Sequence, residues 1–353
     1  MKIQDPMSIE EALLLRDRGA LFVDARSPAE FAKATIPGAI NVPILNDAER
    51  AEIGTMYKQQ GRDVARQRGI SLVSFKIPAM VEAVREAIGS KKRPVLVFCW
   101  RGGLRSQALA NFLCLDDIPA RQIVGGHKAF RKVVRDFFEQ GEWGSILVLR
   151  GLTGVGKTRL LHRLAAEDWP VLDLEGLANH RGSAFGALGL AKQPGQMMFE
   201  ALVWDRLRQI SPGEYVITEG ESKMIGRLCI PPRLYAAMQE ETSIWINAPL
   251  ERRIEIILDD YPAREQHKDL FVRPLQALKE RLGKERVAEM LDLLEKSEWE
   301  ELTARLMIDY YDPQYNHLKP DDRVELEVSD DEAGVVAVQA ACREILGEEQ
   351  SPA

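Results

Sequence analysis

The stretch PVLVFCWRGGLRSQALANFLCLD, residues 94–116, carries the clearest fold signal in this chain of 353 residues. Its first six residues form an apolar run of strand length, and the residues from Leu104 onward repeat apolar side chains at helical spacing. Between the two lies a turn with adjacent glycines, Gly102 and Gly103. Parallel α/β sheets are built from such strand–turn–helix units. The stretch therefore predicts a parallel sheet covered by helices on both faces.

The same turn has the composition of an anion-binding loop around a cysteine. Cys99 ends the strand, where open α/β sheets place their ligands. Paired glycines let backbone N–H groups point into one concavity, and the N-terminus of the following helix adds its positive end. This setting favours a thiolate, so we predict Cys99 as the catalytic nucleophile, whereas Cys114, Cys229 and Cys342 are expected to be structural, with a resolving role for Cys229 as the open alternative. The predicted anion cradle consists of Arg101, Gly102, Gly103, Arg105 and Ser106.

Composition limits the class of protein and its compartment. Hydrophobic residues make up 45% of the chain, which suffices for a buried core, and four cysteines without CxxC spacing indicate neither a disulfide framework nor a cysteine metal site. The sequence contains no apolar run of membrane-spanning length and no signal peptide, so we expect a cytoplasmic protein with no membrane partner. The net charge is −7, but residues 1–140 carry 22 Lys and Arg against 16 Asp and Glu. This basic half permits an RNA partner.

A second strand–turn–helix unit follows a glycine-containing break at GEWGS, residues 141–145. GLTGVGKT, residues 151–158, matches G-x-x-x-x-G-K-[ST] and stands between the strand SILVLR and the helix TRLLHRL, which is the context of a P-loop. The predicted phosphate-binding residues are Gly151, Thr153, Gly154, Gly156, Lys157 and Thr158. We expect a first parallel-sheet domain over 8–140, a P-loop domain core over 145–250, and a mostly helical extension over 251–353 packed on that core.

Polar residues between the later predicted strands are candidates for substrate or Mg²⁺ contacts. They are Asp173, Glu175, His180 and Arg181 in DLEGLANHRGSAFG, residues 173–186, and Glu219 in the strand end VITEG. A histidine in such a loop is also common as a structural residue, and that alternative stays open for His180. No strand end identifies a hydrolytic apparatus, so ATP hydrolysis and simple capture of a diphosphate both remain open. No dedicated metal site is predicted.

Four motifs in the first domain resemble those of rhodaneses: VDARSPAEF (23–31), IPGAINVP (36–43), FCWRGGLRS (98–106) and IVGGHKAFR (123–131). The resemblance implies that Cys99 carries sulfur or selenium and that Asp24 and Arg26 are structural supports. Thr35 stands where many rhodaneses have histidine. Together with GLTGVGKT and DLEGLANHRGSAFG, the chain resembles the tRNA 2-selenouridine synthase family from about residue 8 to at least 250.

This second resemblance implies an activity. Members exchange selenium for sulfur on wobble 2-thiouridine of tRNA with selenophosphate as donor, and geranyl diphosphate forms an S-geranyl intermediate. It implies no tightly bound cofactor, with Mg²⁺ as a candidate companion of the diphosphate. Two alternatives stay open: an ATP-dependent sulfurtransferase acting on RNA or a small acceptor, and a non-catalytic phosphate-sensing or RNA-binding module. Basic helical residues, Arg252, Arg253 and Arg264, are candidate RNA contacts beside the basic first domain.

Overall fold

The computed structural model describes residues 4–240, 242–261, 267–315 and 319–347. The chain divides near residue 140 into two compact units, and each contains its own parallel β-sheet. The predicted fold class, a parallel α/β domain followed by a P-loop α/β domain with many C-terminal helices, is confirmed.

The first unit is built on a sheet of four short strands. These are β1 (Leu21–Asp24), β2 (Ile40–Asn41), β3 (Val95–Phe98) and β4 (Ala120–Gln122). The helices are α1 (Ile9–Asp17), α2 (Pro28–Lys33), α3 (Asp47–Gln59), α4 (Arg62–Val73), α5 (Ile77–Ile88), α6 (Leu104–Leu115) and α7 (Gly126–Gln140). The strand order is β2-β1-β3-β4 with every pair parallel.

The central strands β1 and β3 are buried along their whole length, which explains why their sequences are uninterrupted apolar runs. Val23 and Val97, paired across them, pack with Val84 of α5 and Leu109 of α6 in one apolar core. Because the carboxyl ends of β1 and β3 lie side by side, the residues that follow them meet at one edge of the sheet. That edge carries Cys99.

The second unit contains a five-stranded parallel sheet and a long helical region. The strands of this unit, including two that lie outside the main sheet, are β5 (Ser145–Gly151), β6 (Val171–Leu172), β7 (Tyr215–Glu219), β8 (Met224–Ile225), β9 (Leu228–Cys229), β10 (Ser243–Asn247) and β11 (Arg323–Glu327). Its helices are α8 (Lys157–Ala166), α9 (Leu174–Ala178), α10 (Gln196–Leu207), α11 (Pro232–Glu240), α12 (Leu250–Asp260), α13 (Lys268–Ala277), α14 (Lys279–Leu282), α15 (Lys284–Glu295), α16 (Trp299–Leu306), α17 (Asp312–Tyr315) and α18 (Asp331–Leu346).

The main sheet has the order β11-β10-β5-β7-β6, and β8 and β9 form a separate hairpin. Strand β5, which leads into the P-loop, therefore lies between β10 and β7. Strand β11 pairs with β10 over five residues, although it lies beyond residue 250, where we expected the sheet core to end. Its charged sequence, RVELE, suits a half-exposed edge strand and lacks the apolar run by which the other strands are identified.

Helices α12 to α17 form the region between β10 and β11. Phe271, Leu275, Met290 and Leu294 make an apolar core there that is separate from the core of the sheet. A π-helical turn, Met307–Tyr311, joins α16 to α17. Within the described residues, no helix is both long and apolar enough to cross a bilayer.

Candidate active site

Cys99 follows β3 directly, and its thiol lies inside the turn that leads to α6. The Sγ atom accepts a hydrogen bond from the backbone N–H of Gly103 at 3.2 Å and another from the hydroxyl of Ser106, also at 3.2 Å. Helix α6 begins at Leu104, so its positive end also points toward the sulfur. Two donors and a helix N-terminus stabilise negative charge on Sγ, as a nucleophilic thiolate requires.

Gly102 gives the turn its tight path. Its φ is +63°, and a Cβ at this position would lie 2.6 Å from the carbonyl oxygen of Ile123. The cysteine turn is therefore pressed against the β4–α7 turn. The carbonyl of Cys99 accepts the N–H of His127 at 2.8 Å, which ties the two turns together.

The two arginines of the predicted cradle point to different places. Arg105 forms an ion pair with Glu30 at 2.6 Å. Burial raises the pKa of Glu30, but the hydrogen bond and charge of Arg105 outweigh it, so the pKa is lowered overall. Arg101 is exposed and lines a basic groove with Lys128, Lys132 and Arg135 of α7. Arg105 thus stabilises the loop through Glu30, while Arg101 is exposed in the basic groove.

A buried ion pair supports the neighbouring strand end. Arg26 donates to the carboxylate of Asp24 at 2.5 and 2.9 Å and to the carbonyl of Ala34 at 2.6 Å. The hydroxyl of Thr35 donates to Asp24 at 2.9 Å and so completes the carboxylate's partners. This geometry is that of a structural support, the role that the rhodanese resemblance implies for Asp24 and Arg26.

His127 is a residue of this edge to which the sequence assigned no role. It is fully buried beside Phe98 and Phe130, and its ring lies 5.6 Å from that of Trp100. Burial and then the charges of Arg26 and Arg131 lower its pKa to about 3, so the imidazole is neutral. The sequence feature that could have pointed to His127 is its position directly after the glycine pair at 125–126.

The P-loop forms the second candidate site, between β5 and α8. Lys157 is folded back onto its own loop, where Nζ donates to the carbonyls of Gly151 at 3.0 Å and Leu152 at 3.3 Å. Burial lowers the pKa of Lys157, and the charges of Glu221, Glu175 and Glu219 oppose that shift. An anion entering the loop offers the ammonium a better partner than two carbonyls.

A chain of acidic side chains lies beside Lys157. The hydroxyl of Thr158 donates to Glu175 at 3.0 Å, and the N–H of Glu175 donates to Glu219 at 2.7 Å. Burial raises the pKa of Glu175, Glu219 and Glu221, and the charges of neighbouring carboxylates raise it further. A side-chain hydrogen bond between Glu221 and Glu175 raises the pKa of Glu221 and lowers that of Glu175.

One polar cavity brings together most of the residues predicted in this unit. It is lined by Thr153, Gly154, Gly156, Lys157, Thr158, Asp173, Glu175, His180 and Arg181, together with Glu221. Gly151 and Glu219 lie behind this surface and act through Lys157 and Glu175.

Two of the lining residues, Asp173 and Arg181, also have structural partners, and a third, His180, is buried. Asp173 caps α9 by accepting the N–H of Gly176 at 2.7 Å, and its other oxygen contacts His162 at 2.8 Å. His180 is buried, and burial followed by the charge of Arg181 lowers its pKa. Arg181 lies over the ring of Tyr261 at 4.8 Å.

Comparison with known proteins agrees with both halves of this arrangement. The rhodanese-like domain matches residues 8–133, and the tRNA 2-selenouridine synthase AAA domain matches residues 144–344. The chain is 36% identical to a tRNA 2-selenouridine synthase of Pseudomonas syringae pv. syringae over 94% of this chain and 97% of the relative. The corresponding enzymes of Nitrosomonas europaea and Sulfurovum sp. are each 34% identical, over 83% and 84% of this chain and 87% of each relative. The chain belongs to the tRNA 2-selenouridine synthase family.

Family membership does not by itself locate the RNA-binding surface. The two candidate arginines in α12 already form ion pairs within the protein. Arg252 pairs with Asp331 at 2.5 Å. Arg253 is only 4% exposed, pairs with Asp312 at 2.6 Å and donates to the carbonyl of Thr153 at 2.8 Å. Arg253 therefore supports the P-loop and was wrongly expected to contact RNA. Arg264 lies outside the described residues.

Ser106→Ala tests the thiolate cradle of this family member. The variant removes one of the two donors to Sγ, and we expect selenium incorporation into thiolated tRNA to fall about tenfold, the scale of one charge-assisted hydrogen bond. Single-turnover rates from nucleoside mass spectrometry would measure this. Ser71→Ala, which loses only a bond to the carbonyl of Gln67, is the matched control. Equal rates for both variants would contradict the cradle.

Glu219→Gln tests the buried acidic chain through stability. The folded-state pKa of Glu219 lies above its unfolded value, so the folded state binds the proton more tightly and stability is lost as pH rises above about 4.5. The amide does not titrate, and its oxygen still accepts from Glu175. We compare the melting temperature of the variant with that of the wild type at each pH. We expect this difference to be about 2–4 °C more favourable to the variant at pH 8 than at pH 5, which corresponds to a change of roughly 1 kcal/mol in the free energy of unfolding. Exposed Glu240→Gln should show no such pH dependence.

Proposed function

We propose that this chain is a tRNA-modifying transferase that converts wobble 2-thiouridine to 2-selenouridine, with selenophosphate as selenium donor and geranyl diphosphate as alkylating substrate. The observation that carries the proposal is the presence of a two-donor cysteine loop and a complete P-loop in one chain related to tRNA 2-selenouridine synthases over 94% of its length. Since tRNA is the substrate, we expect the reaction to take place in the cytoplasm.

The first step is alkylation at the P-loop. The sulfur of 2-thiouridine attacks C1 of the geranyl group, the C–O bond breaks with its electron pair going to the diphosphate, and the N3 proton is released. Lys157 would exchange its two carbonyl partners for the diphosphate oxygens and stabilise the charge that develops on them. Where Mg²⁺ accompanies the diphosphate, Thr158 and Glu175 offer oxygen ligands of the type it prefers.

The second step replaces the alkylated sulfur. Selenium from selenophosphate bonds to C2, geranylthiol leaves with one proton, and water takes the phosphoryl group as phosphate. Selenium is already at the selenide level in the donor, so the exchange balances without an oxidant. We assign to Cys99 the displacement of the geranylthio group: its thiolate bonds to C2 while the C2–S bond to that group breaks. Selenium then bonds to C2 while the C2–S bond to Cys99 breaks, which returns the thiolate, and the N–H of Gly103 and the hydroxyl of Ser106 stabilise its charge.

The basic groove beside Cys99 supports RNA as the acceptor. Arg101, Lys128, Lys132 and Arg135 line it, and cations spaced along one helix face suit a phosphate backbone. Lys132 and Arg135 form ion pairs with Asp136 and Glu139, but these pairs are exposed to water and cost little to exchange for phosphate. Trp100, which is 38% exposed next to the nucleophile, offers a surface on which an unstacked base can lie. We propose this face of the first unit as the place where the modified base is presented.

An ATP-dependent sulfurtransferase is the second candidate function. The observation in its favour is the position of Glu219 at the end of β7, directly beside the P-loop strand β5, where P-loop NTPases hold the acid that orients Mg²⁺. This alternative uses the same P-loop for ATP and the same Cys99 for sulfur.

One reconstitution distinguishes the two functions. Purified protein is incubated with 2-thiouridine tRNA in three mixtures: geranyl diphosphate alone, geranyl diphosphate with selenophosphate, and selenophosphate alone. A fourth mixture contains unthiolated tRNA, ATP and a sulfur donor. We expect S-geranyl-2-thiouridine in the first mixture and 2-selenouridine in the second, both detected by nucleoside mass spectrometry. Product formation that requires ATP and does not depend on geranyl diphosphate would favour the sulfurtransferase.

A further inference from the structure

An apolar cavity lies next to the P-loop cavity in the second unit. It encloses about 540 Å³ of space between atoms, part of it open to solvent. Its wall is formed largely by aromatic and aliphatic side chains, among them Phe185, Phe271, Trp299, Leu302, Met307 and Tyr311. These come from the loop after α9, from α13, from α16 and from the π-helical turn. A water molecule would find few hydrogen-bond partners in a space with such a lining, so the cavity suits a hydrocarbon chain.

The two cavities share a boundary. Thr153, Ser183, Ile257 and Tyr261 line both of them. The P-loop itself reaches this boundary, because a Cβ on Gly154 would lie 2.9 Å from Met307 and 3.1 Å from Ile257. A ligand bound to the phosphate loop therefore has an apolar space directly beside its head group.

We propose that the apolar cavity binds the hydrocarbon chain of a diphosphate ester whose head group occupies the P-loop, and that Phe271 and Trp299 limit the length of that chain. The identity of the chain as a ten-carbon prenyl group rests on the proposed function. Phe271 and Trp299 line the apolar cavity and not the polar one, and their rings meet edge to face at 5.3 Å. Both rings therefore belong to the part of the wall that the polar cavity does not reach.

The boundary residues would fix the junction of head group and chain. The hydroxyls of Ser183 and Tyr261 lie 2.8 Å apart, and the guanidinium of Arg181 lies over the Tyr261 ring at 4.8 Å. This places polar hydroxyls and a cation where the ester oxygen would sit, and the hydrocarbon faces of Ile257 and Phe185 beyond them. An amphipathic diphosphate thus meets matching chemistry along its whole length.

The test is a binding series by calorimetry with inorganic diphosphate and its dimethylallyl, geranyl and farnesyl esters, in the absence of tRNA. For the wild-type chain we expect affinity to rise at least about tenfold from the dimethylallyl to the geranyl ester and to fall again for the farnesyl ester, since each buried methylene adds affinity until the wall is reached. Trp299→Ala should shift the preference to the farnesyl ester by about tenfold. Leu306→Trp, which fills the cavity from α16, should lose geranyl affinity and keep inorganic diphosphate.

Trp143→Ala is the matched control, since Trp143 is a half-buried tryptophan of the same unit that stacks with Arg233 and lines neither cavity. Retained binding of inorganic diphosphate reports that each variant is folded. A flat affinity across the series, or a series left unchanged by both cavity variants, overturns the inference. If geranyl diphosphate binds as expected but tRNA is never alkylated, the proposed function fails and the cavity assignment stands.

Discussion

Cys99→Ala is expected to lower the formation of 2-selenouridine by about 10³-fold or more, because no other group in the cysteine loop can replace the sulfur as nucleophile. The S-geranyl intermediate should accumulate in the variant at a rate within about twofold of wild type, since we assign the alkylation to the P-loop. Nucleoside mass spectrometry of tRNA treated with geranyl diphosphate and selenophosphate measures both products in the same digest.

Cys114→Ala provides the matched control for that experiment. Cys114 is also a buried thiol, on the helix that follows Cys99, but its Sγ donates to the carbonyl of Ala120 at 3.4 Å and lies in the apolar core. Its loss should cost about 1 kcal/mol of stability and leave both products unchanged. Undiminished 2-selenouridine from Cys99→Ala would remove Cys99 from the mechanism, whatever its surroundings look like.

The local geometry at both loops followed from the sequence. A strand, a glycine turn and a helix within twenty residues dictate where Cys99 and Lys157 stand, because only nearby residues take part. The same holds for Thr158, whose hydroxyl must lie at the start of α8. Such features depend on short-range backbone conformation, which residue type strongly constrains.

Contacts between residues far apart in the chain could not be predicted from the sequence. Arg105 was expected at the anion but pairs with Glu30, which lies 75 residues earlier in the chain. Arg253 looked like one more charge on a helix, yet its partner Asp312 lies 59 residues away. A charge's partner depends on the tertiary fold, and neither helical spacing nor charge density encodes it.

The apolar cavity illustrates the same limit. Its wall combines Thr153, Phe185, Ile257, Phe271 and Trp299, which occur in five separate segments of the chain. In the sequence Phe271 and Trp299 are ordinary core residues at helical spacing, and Phe185 stands in a glycine-rich loop. Only the packing of α12, α13 and α16 brings them together and leaves space between them.

Lys157→Ala should abolish most of the alkylation, with a loss of about 10²–10³-fold in the rate of S-geranyl formation, because the variant removes the ammonium that meets the leaving diphosphate. Burial lowers the pKa of Lys157. In the wild-type chain, diphosphate affinity should therefore fall with rising pH earlier than the titration of an ordinary lysine would predict. Rates over pH 7–10, from digests of tRNA treated with geranyl diphosphate alone, measure both effects.

Exposed Lys192→Ala, in the same unit, controls for the loss of a positive charge. Lys157 also faces Glu175, Glu219 and Glu221, so its removal leaves these carboxyls without their cation and should raise their pKa further. Thermal unfolding of the variant separates that structural cost from the chemical one. A Lys157→Ala protein that is folded, alkylates tRNA normally and has lost only ATP turnover would assign the P-loop to ATP. The cavity beside it would then have to hold something other than the chain of the alkylating substrate.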